Sequence, residues 1–266
     1  MQTATAVGGI EIRYELSGRK NRPVVMMSHS LSTRLEMWNA QMPALEPEFA
    51  VLRYDTRGHG DSDAPGGAYT LEQLGDDAVG LMDALGIDKV HWLGISMGGM
   101  IGQRLALDRP DRLHSLMLSS TAAVMGEQAQ PIWQERIDRA RTKGMEAMVA
   151  ETLERWFTPA YLQAVAPPVD AIAEQIRSTP VSGFIGCSEA IRRLNYLDRL
   201  AKIRLPSLII VGEDDPGTPV SASEAIHQRL DGSQLEIIPA ARHLCNIEKQ
   251  ETFNSLLLEF LKGLEP

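Results

Sequence analysis

Ser96 lies in a G-x-S-x-G pattern, Gly94-Ile95-Ser96-Met97-Gly98, between an apolar run typical of a strand and a stretch with helical spacing. Such a turn holds the serine in a strained conformation that presents Oγ, and only small neighbours leave room for it. At the start of the following helix, the backbone N–H of Met97 can stabilise negative charge on a carbonyl oxygen. The pattern predicts a serine nucleophile, and a glycine turn with a serine cap is the alternative.

A serine hydroxyl needs a base to react near neutral pH, and in chains with this turn the acid and then the histidine follow the serine. His227 lies inside a polar stretch with helical spacing. His243 instead follows an apolar run at 235–238 through a short loop, where a base on a post-strand loop is expected. We therefore predict that His243 is the base.

The acid is expected on the loop after the preceding apolar run, at 207–211. This loop carries three carboxylates, Glu213, Asp214 and Asp215, any of which could orient an imidazole Nδ1–H. The spacing of glycine, two residues, aspartate, two residues and Thr218-Pro219 favours Asp215, and Asp214 remains the alternative.

A second donor to the oxyanion is expected from the loop after the run at 24–28. We predict that the backbone N–H of Leu31 acts with that of Met97. His29, in the same loop, is interpreted as a residue that organises the loop rather than as a catalytic group. The chain has no H-E-x-x-H pattern and no paired cysteine spacing, so neither a metal nor another cofactor is expected.

The composition of the chain indicates a globular protein and argues against some classes of partner. The chain has 266 residues, 44% hydrophobic and 23% charged, which is typical of one globular domain with or without an insertion. Its net charge of −9 argues against nucleic acid and membrane surfaces as partners. The N-terminus has no signal-peptide pattern, and Cys187 and Cys245 fit reduced, buried thiols, so a cytoplasmic location is expected. The sequence leaves open whether the chain forms a homo-oligomer.

The order of elements predicts an α/β fold with an insertion. Short apolar runs at 24–28, 50–54, 90–94 and 113–119 alternate with helical patterns at 70–85 and 97–107, which favours a parallel sheet. Residues 122–196 contain only helical patterns and are predicted to form a cap. Strand patterns return at 207–211 and 235–238, so the core is assigned to 1–121 and 197–266.

Three segments, 51–60, 94–99 and 242–248, resemble those of α/β-hydrolases and, more narrowly, of 3-oxoadipate enol-lactone hydrolases. The resemblance covers nearly the whole chain and implies an α/β-hydrolase fold, a mostly parallel sheet flanked by helices with an inserted helical cap. It also implies hydrolysis of a small lactone or ester through an acyl-enzyme. The alternatives are a general carboxylesterase or perhydrolase and a ligand receptor without activity. The oxyanion loop departs from the family pattern, with Ser30 where most members have glycine and Ser32 where enol-lactonases have glycine.

The substrate that the resemblance implies carries a free carboxylate, which needs a local cation in a protein of net charge −9. Arg34, Arg136 and Arg192 are the candidates. Aromatic residues of the cap could form the roof of a small apolar pocket or the core of the cap itself, and these are Trp133, Trp156 and Phe184.

Overall fold

One sheet runs through the described residues, 2–164 and 167–264, of this computed structural model. Its strands are β1 (Gln2–Thr5), β2 (Glu11–Gly18), β3 (Val24–Ser28), β4 (Ala50–Tyr54), β5 (Val90–Ile95), β6 (Leu113–Ser119), β7 (Ser207–Gly212) and β8 (Gln234–Ile238). They lie in the order β1-β2-β4-β3-β5-β6-β7-β8. β1 and β2 pair antiparallel, as do β2 and β4, and every pairing from β4 to β8 is parallel. The predicted mostly parallel sheet is confirmed.

The six predicted strands correspond to β3 to β8, with ends that agree within one residue. The strands β1 and β2 were not predicted. Residues of β2 are mostly half-buried, whereas every residue of β4, β5 and β7 is buried. A strand buried on both faces forms a continuous apolar run, but an edge ribbon such as β1 and β2 mixes polar and apolar residues.

Helices connect these strands, and the main helix–sheet contacts come from helices outside the segment between β6 and β7. The helices are α1 (Met42–Leu45), α2 (Leu71–Ala84), α3 (Met97–Asp108), α4 (Gln130–Lys143), α5 (Glu146–Trp156), α6 (Pro159–Gln163), α7 (Pro167–Ser178), α8 (Val181–Arg192), α9 (Val220–His227), α10 (Cys245–Glu248) and α11 (Gln250–Gly263). α2 begins with a capping box, because the side chains of Thr70 and Gln73 each accept the other's backbone N–H. No described helix is both long enough and apolar enough to cross a bilayer.

The helices α4 to α8 all lie between β6 and β7. α4 packs on α5 and α8, and α5 packs on α7, so the helices of the insertion pack on one another, while their buried residues join the same hydrophobic core as the sheet. Its two ends are held together, since Tyr196 N–H donates to Ala123 O at 2.7 Å and Met125 N–H donates to Leu194 O at 2.9 Å. The assignment of residues 122–196 as a separate cap domain stays a prediction.

The insertion contacts the rest of the fold through small residues of α8. A Cβ atom at Gly183 would lie 1.9 Å from the carbonyl oxygen of Gly58, so only glycine allows the two backbones to approach this closely. One turn further on, Gly186 O accepts the N–H of Tyr69 at 3.0 Å. This contact fixes α8 against the loop that follows β4. In the same region, Cys187 is free and buried, as is Cys245 near the C-terminal end of the chain, in agreement with the prediction of reduced thiols.

Candidate active site

The turn around Ser96 joins the last residue of β5 to the first residue of α3. Ser96 has φ 55° and ψ −115°, a conformation that is costly for a residue with a side chain. The glycines on either side make room for it: a Cβ atom at Gly98 would lie 2.1 Å from Ser28 O, and one at Gly94 would lie 2.1 Å from Gly98 O. The structure therefore has the predicted strand, tight turn and helix, with Ser96 at the carboxyl edge of the sheet.

His243 and Asp215 meet although they lie on different loops. His243 Nδ1 is 2.8 Å from Asp215 Oδ2, and both residues are almost fully buried. The carboxylate also accepts the N–H groups of Gly217 and Thr218 at Oδ1, and the Thr218 hydroxyl at Oδ2. Asp215 is thus saturated with donors. In the sequence Thr218 is visible only as part of a loop pattern, which does not predict its contact with Asp215.

Burial of the Asp215 carboxyl disfavours its charged form, but the attraction and hydrogen bond of His243 and the bonds from Thr218 outweigh burial. The pKa of Asp215 consequently lies below its usual value. A carboxylate that is charged at neutral pH can hold the imidazole proton on Nδ1 and leave Nε2 free to act as a base. Asp214, the alternative acid, is exposed on the same loop.

Ser96 and His243 border one cavity of about 390 Å³. The structure shows no hydrogen bond between Ser96 Oγ and His243, and such bonds often tighten only when a substrate is bound. The other residues that line the cavity come from the oxyanion loop, the start of α3, the insertion and the Asp215 loop, and include Ser30, Leu31, Met100, Trp133, Arg136, Thr152, Arg155, Trp156 and Thr218. A larger groove of about 620 Å³ runs along Thr158 and Arg242 and borders neither Ser96 nor His243.

The predicted oxyanion donors flank Ser96. No described residue accepts a hydrogen bond from the backbone N–H of Met97 or of Leu31. Met97 is the first residue of α3, where N–H groups have no partner within the helix. Leu31 lies in the cavity wall. Ser32, which replaces the glycine of the family pattern, has φ 65°, and its N–H donates to His59 Nε2 at 3.0 Å. The serine therefore adopts the backbone conformation that glycine would take.

Comparison with known proteins gives the same result as this geometry. Residues 23–250 match the family model for the alpha/beta hydrolase fold. This chain belongs to the α/β-hydrolase family. The α/β-hydrolase is 34% identical to 3-oxoadipate enol-lactonase 2 of Acinetobacter baylyi, over 95% of this chain and 94% of that one.

Two solved structures are similar to the α/β-hydrolase over nearly its whole length. An enol-lactonase from Burkholderia xenovorans LB400 has a TM-score of 0.95 and 36% identity, covering 98% of this chain and 100% of that one. A hydrolase from Pseudomonas aeruginosa PA01 has a TM-score of 0.94 and 39% identity, covering 98% and 97%. The predicted fold and the predicted hydrolase class are confirmed.

The arginines named from the sequence of this α/β-hydrolase have different environments. Arg34 does not border the cavity and pairs with Glu36 at 3.1 Å, and Arg192 pairs with Glu189 at 3.0 Å. Arg136 borders the cavity, and its guanidinium has no carboxylate within ion-pair distance among the described residues. Burial, together with repulsion from Arg155, lowers the pKa of Arg136 to about 10, so its side chain stays charged at neutral pH.

The aromatic residues of the insertion occupy both of the environments considered from the sequence, the cavity wall and the core. The Trp133 ring lies under the Arg136 guanidinium, 4.6 Å from its centroid, and Phe184 is fully buried beside the same group. Trp156 stacks on the imidazole of His243, with ring centroids 5.9 Å apart and planes 20° from parallel. Trp133 and Trp156 also line the cavity, whereas Phe184 belongs to the hydrophobic core.

The buried histidines of this α/β-hydrolase make its stability depend on pH. Burial lowers the pKa of His59 to about 3, with the neighbouring His29 adding to the decrease, and burial also lowers the pKa of His29. Below pH about 6.5 the unfolded chain binds protons that the folded chain does not. The free energy of unfolding will therefore fall as the pH decreases, with a slope that approaches about 1.4 kcal/mol per pH unit for each such histidine below about pH 6, in urea titrations between about pH 7 and 5.

The variant His59→Gln is the control for this prediction, because a glutamine oxygen can still accept the Ser32 N–H but does not titrate. Its unfolding free energy will depend less steeply on pH than that of the wild type. His91, whose pKa burial lowers to about 4, is present in both proteins and drops out of the comparison. Equal slopes for the two proteins would contradict the assignment to His59.

Proposed function

We propose that this protein hydrolyses a small lactone or ester through Ser96, His243 and Asp215, and that its substrate is 3-oxoadipate enol-lactone. The observation that carries the proposal is the buried pair of Asp215 and His243, because His243 borders one cavity with Ser96, a half-buried serine held in a strained turn. The enol-lactonase relatives support the substrate class. The free, buried cysteines agree with the cytoplasmic location predicted from the sequence.

In the first half of the reaction, His243 Nε2 takes the proton of Ser96 as Oγ attacks the lactone carbonyl carbon. The N–H groups of Leu31 and Met97 bind the oxyanion, and Asp215 stabilises the imidazolium. The tetrahedral intermediate collapses when the bond between the carbonyl carbon and the ring oxygen breaks. The imidazolium gives its proton to the departing enol oxygen, and the opened chain remains attached to Ser96 as an acyl ester.

In the second half, His243 takes a proton from a water molecule that attacks the acyl carbon. The same two N–H groups hold the second oxyanion. The proton then returns to Ser96 Oγ as the ester bond breaks, and a carboxylate product leaves. The released enol tautomerises to the ketone. These steps use only side chains, backbone N–H groups and water.

Arg136 supplies the cation that a carboxylate-bearing substrate needs. A buried guanidinium without a carboxylate partner is costly, and a substrate carboxylate that pairs with it removes that cost while adding charge-assisted hydrogen bonds. The Trp133 ring packs against the Arg136 guanidinium, and Trp156 forms an apolar part of the cavity wall beside His243. The cavity thus combines a site for an acyl group with a site for an anion.

The test is the substrate preference of Arg136→Met. We expect kcat/KM for 3-oxoadipate enol-lactone to fall by about 100-fold, the value of a lost charged hydrogen-bond pair, with most of the effect in KM. Turnover of the neutral p-nitrophenyl acetate will change by less than about threefold, because it has no carboxylate to lose. Disappearance of the lactone is followed by its ultraviolet absorbance. Arg192→Met is the matched control, since it removes a cap arginine that already has an acidic partner.

Other results would support a different function. A wild-type protein that clearly prefers aryl esters to the enol-lactone would be a general carboxylesterase. A protein that turns over neither substrate and forms no adduct at Ser96 with a sulfonyl fluoride would be a ligand receptor. Equal losses on both substrates in Arg136→Met would assign Arg136 to folding rather than to the carboxylate.

A further inference from the structure

We infer that Thr33 and His29 are positioning residues that hold the Ser30–Leu31 peptide group in the orientation that aims Leu31 N–H at the substrate. The inference rests on the proposed function, because it gives a purpose to one of the two oxyanion donors. Neither side chain lines the cavity, so both act through the backbone.

Three donors converge on the carbonyl oxygen of Ser30. His29 Nδ1 lies 2.8 Å from it, Thr33 Oγ1 donates at 2.8 Å, and Thr33 N–H donates at 3.2 Å. All of these groups are buried, and His29 and Thr33 are at most 1% exposed. A carbonyl that accepts three hydrogen bonds away from water is strongly held in place.

The direction of this carbonyl decides the direction of Leu31 N–H. The two groups belong to the same planar trans peptide and point in opposite directions. Rotation of the peptide by half a turn would break the three bonds to Ser30 O. It would also direct the carbonyl lone pairs toward the oxyanion, which repels them. The three donors therefore select the orientation that stabilises the transition state.

A second backbone contact of the His29 ring determines which of its two nitrogens carries the proton. Thr56 N–H donates to His29 Nε2 at 2.9 Å, so this nitrogen carries no proton and the neutral ring must carry it on Nδ1, facing Ser30 O. Burial lowers the pKa of His29, which keeps the ring neutral. The loop after β4 thus determines which way His29 donates.

The Thr33 hydroxyl has one proton and two neighbouring acceptors, Ser30 O at 2.8 Å and Met37 Sδ at 3.0 Å. A carbonyl oxygen is the stronger acceptor, so the proton is directed to Ser30. The bond from Thr33 to Ser30 O lies in the loop where the sequence departs from the family pattern, at Ser30 and Ser32. Residues with side chains at 30 and 32 are compatible with the oxyanion hole because the loop is held by hydrogen bonds.

The experiment compares Thr33→Val, Thr33→Ser and Thr179→Val. Valine removes the hydroxyl and keeps the shape, and serine restores the hydroxyl. Thr179→Val is the matched control, because Thr179 is also buried and its Oγ1 donates to a backbone carbonyl, Gln175 O, at the same distance of 2.8 Å. Each variant is assayed for kcat and KM on p-nitrophenyl acetate and for melting temperature, and Thr33→Val is crystallised.

We expect kcat of Thr33→Val to fall by about tenfold with KM nearly unchanged, since an oxyanion donor acts mainly in the transition state. Thr33→Ser will recover most of kcat. Thr179→Val will lower the melting temperature as Thr33→Val does but leave kcat near the wild-type value. The crystal structure of Thr33→Val will show the Ser30–Leu31 peptide rotated in part of the molecules.

An unrotated peptide in that crystal structure, or a kcat loss shared equally by Thr179→Val, overturns the inference. The crystallographic result decides even if the wild-type protein hydrolyses no ester, in which case the proposed function fails separately. If Thr33→Val does not fold, Thr33→Ala takes its place, with the same expected rotation.

Discussion

Ser96→Ala will lower kcat for lactone and ester hydrolysis by about 10⁴-fold to 10⁶-fold, because no other group can form the acyl-enzyme. The oxyanion donors and the cavity remain, so a small rate above that in water will persist. Substrate binding will be retained, since the hydroxyl contributes mainly to the chemical step. The measurement is steady-state turnover of the enol-lactone, together with mass spectrometry after treatment with a sulfonyl fluoride.

The fold of Ser96→Ala will be unaffected. Ser96 Oγ makes no hydrogen bond to His243, and the shape of the turn depends on the space at Gly94 and Gly98 rather than on the hydroxyl. The melting temperature should therefore stay close to that of the wild type. The wild-type protein will gain the mass of the reagent on Ser96, and the variant will gain none. An adduct at another serine with loss of activity, or a variant that keeps more than about 1% of kcat, would reject the assignment.

The central strands could be predicted from the sequence to within a residue because each is a short apolar run that ends at a polar or glycine-rich turn. The strands β1 and β2 have no continuous apolar run and were missed. β1 has only four, mostly exposed residues, whereas β2 alternates polar and apolar residues, which is a strand signal that the sequence does carry. The helices α1, α6 and α10 were also missed. Each has four or five residues, which is too few for a helical period to be visible.

The candidate site also contains residues that could be predicted from the sequence and residues that could not. Ser96, Asp215 and His243 could be named because motif and loop order constrain them along the chain. Thr218 could not, because its contact with Asp215 depends on the course of one loop and leaves no periodic signal. From the sequence, Arg136 and Arg192 were equal candidates for the cation that pairs with a substrate carboxylate. Only tertiary packing distinguishes an arginine buried on Trp133 from one that pairs with a glutamate three residues away.

The end of α5 also contacts the loop that carries His243, the proposed base. Leu244 N–H donates to Trp156 O at 3.1 Å, and the Trp156 ring stacks on His243. Glu248 joins the two parts: its Oε2 accepts the N–H of Arg242 at 2.9 Å, and its Oε1 accepts the N–H of Thr158 at 3.1 Å. The orientation of the imidazole is therefore set from one side by Asp215 and from the other by the end of α5.

Asp215→Asn will lower kcat by about 10³-fold to 10⁴-fold, the second-largest effect we expect. The amide removes the negative charge that stabilises the imidazolium. It also presents an N–H donor or an uncharged oxygen to His243 Nδ1, so the ring is free to adopt the tautomer that carries its proton on Nε2, which cannot accept the Ser96 proton. KM will change little, because Asp215 does not border the cavity. The measurement is kcat for the enol-lactone across the pH range.

Asp214→Asn is the matched control, since it makes the same chemical change at the neighbouring position of the same loop. Asp214 is exposed, and the contact that holds it is a backbone bond from its N–H to Ala241 O at 2.9 Å, which the substitution leaves in place. Its kcat will stay within about threefold of the wild-type value, because a solvated charge contributes little to a buried imidazolium. A large loss in Asp214→Asn with normal turnover in Asp215→Asn would instead make Asp214 the acid, and the 2.8 Å contact between Asp215 and His243 would then be structural.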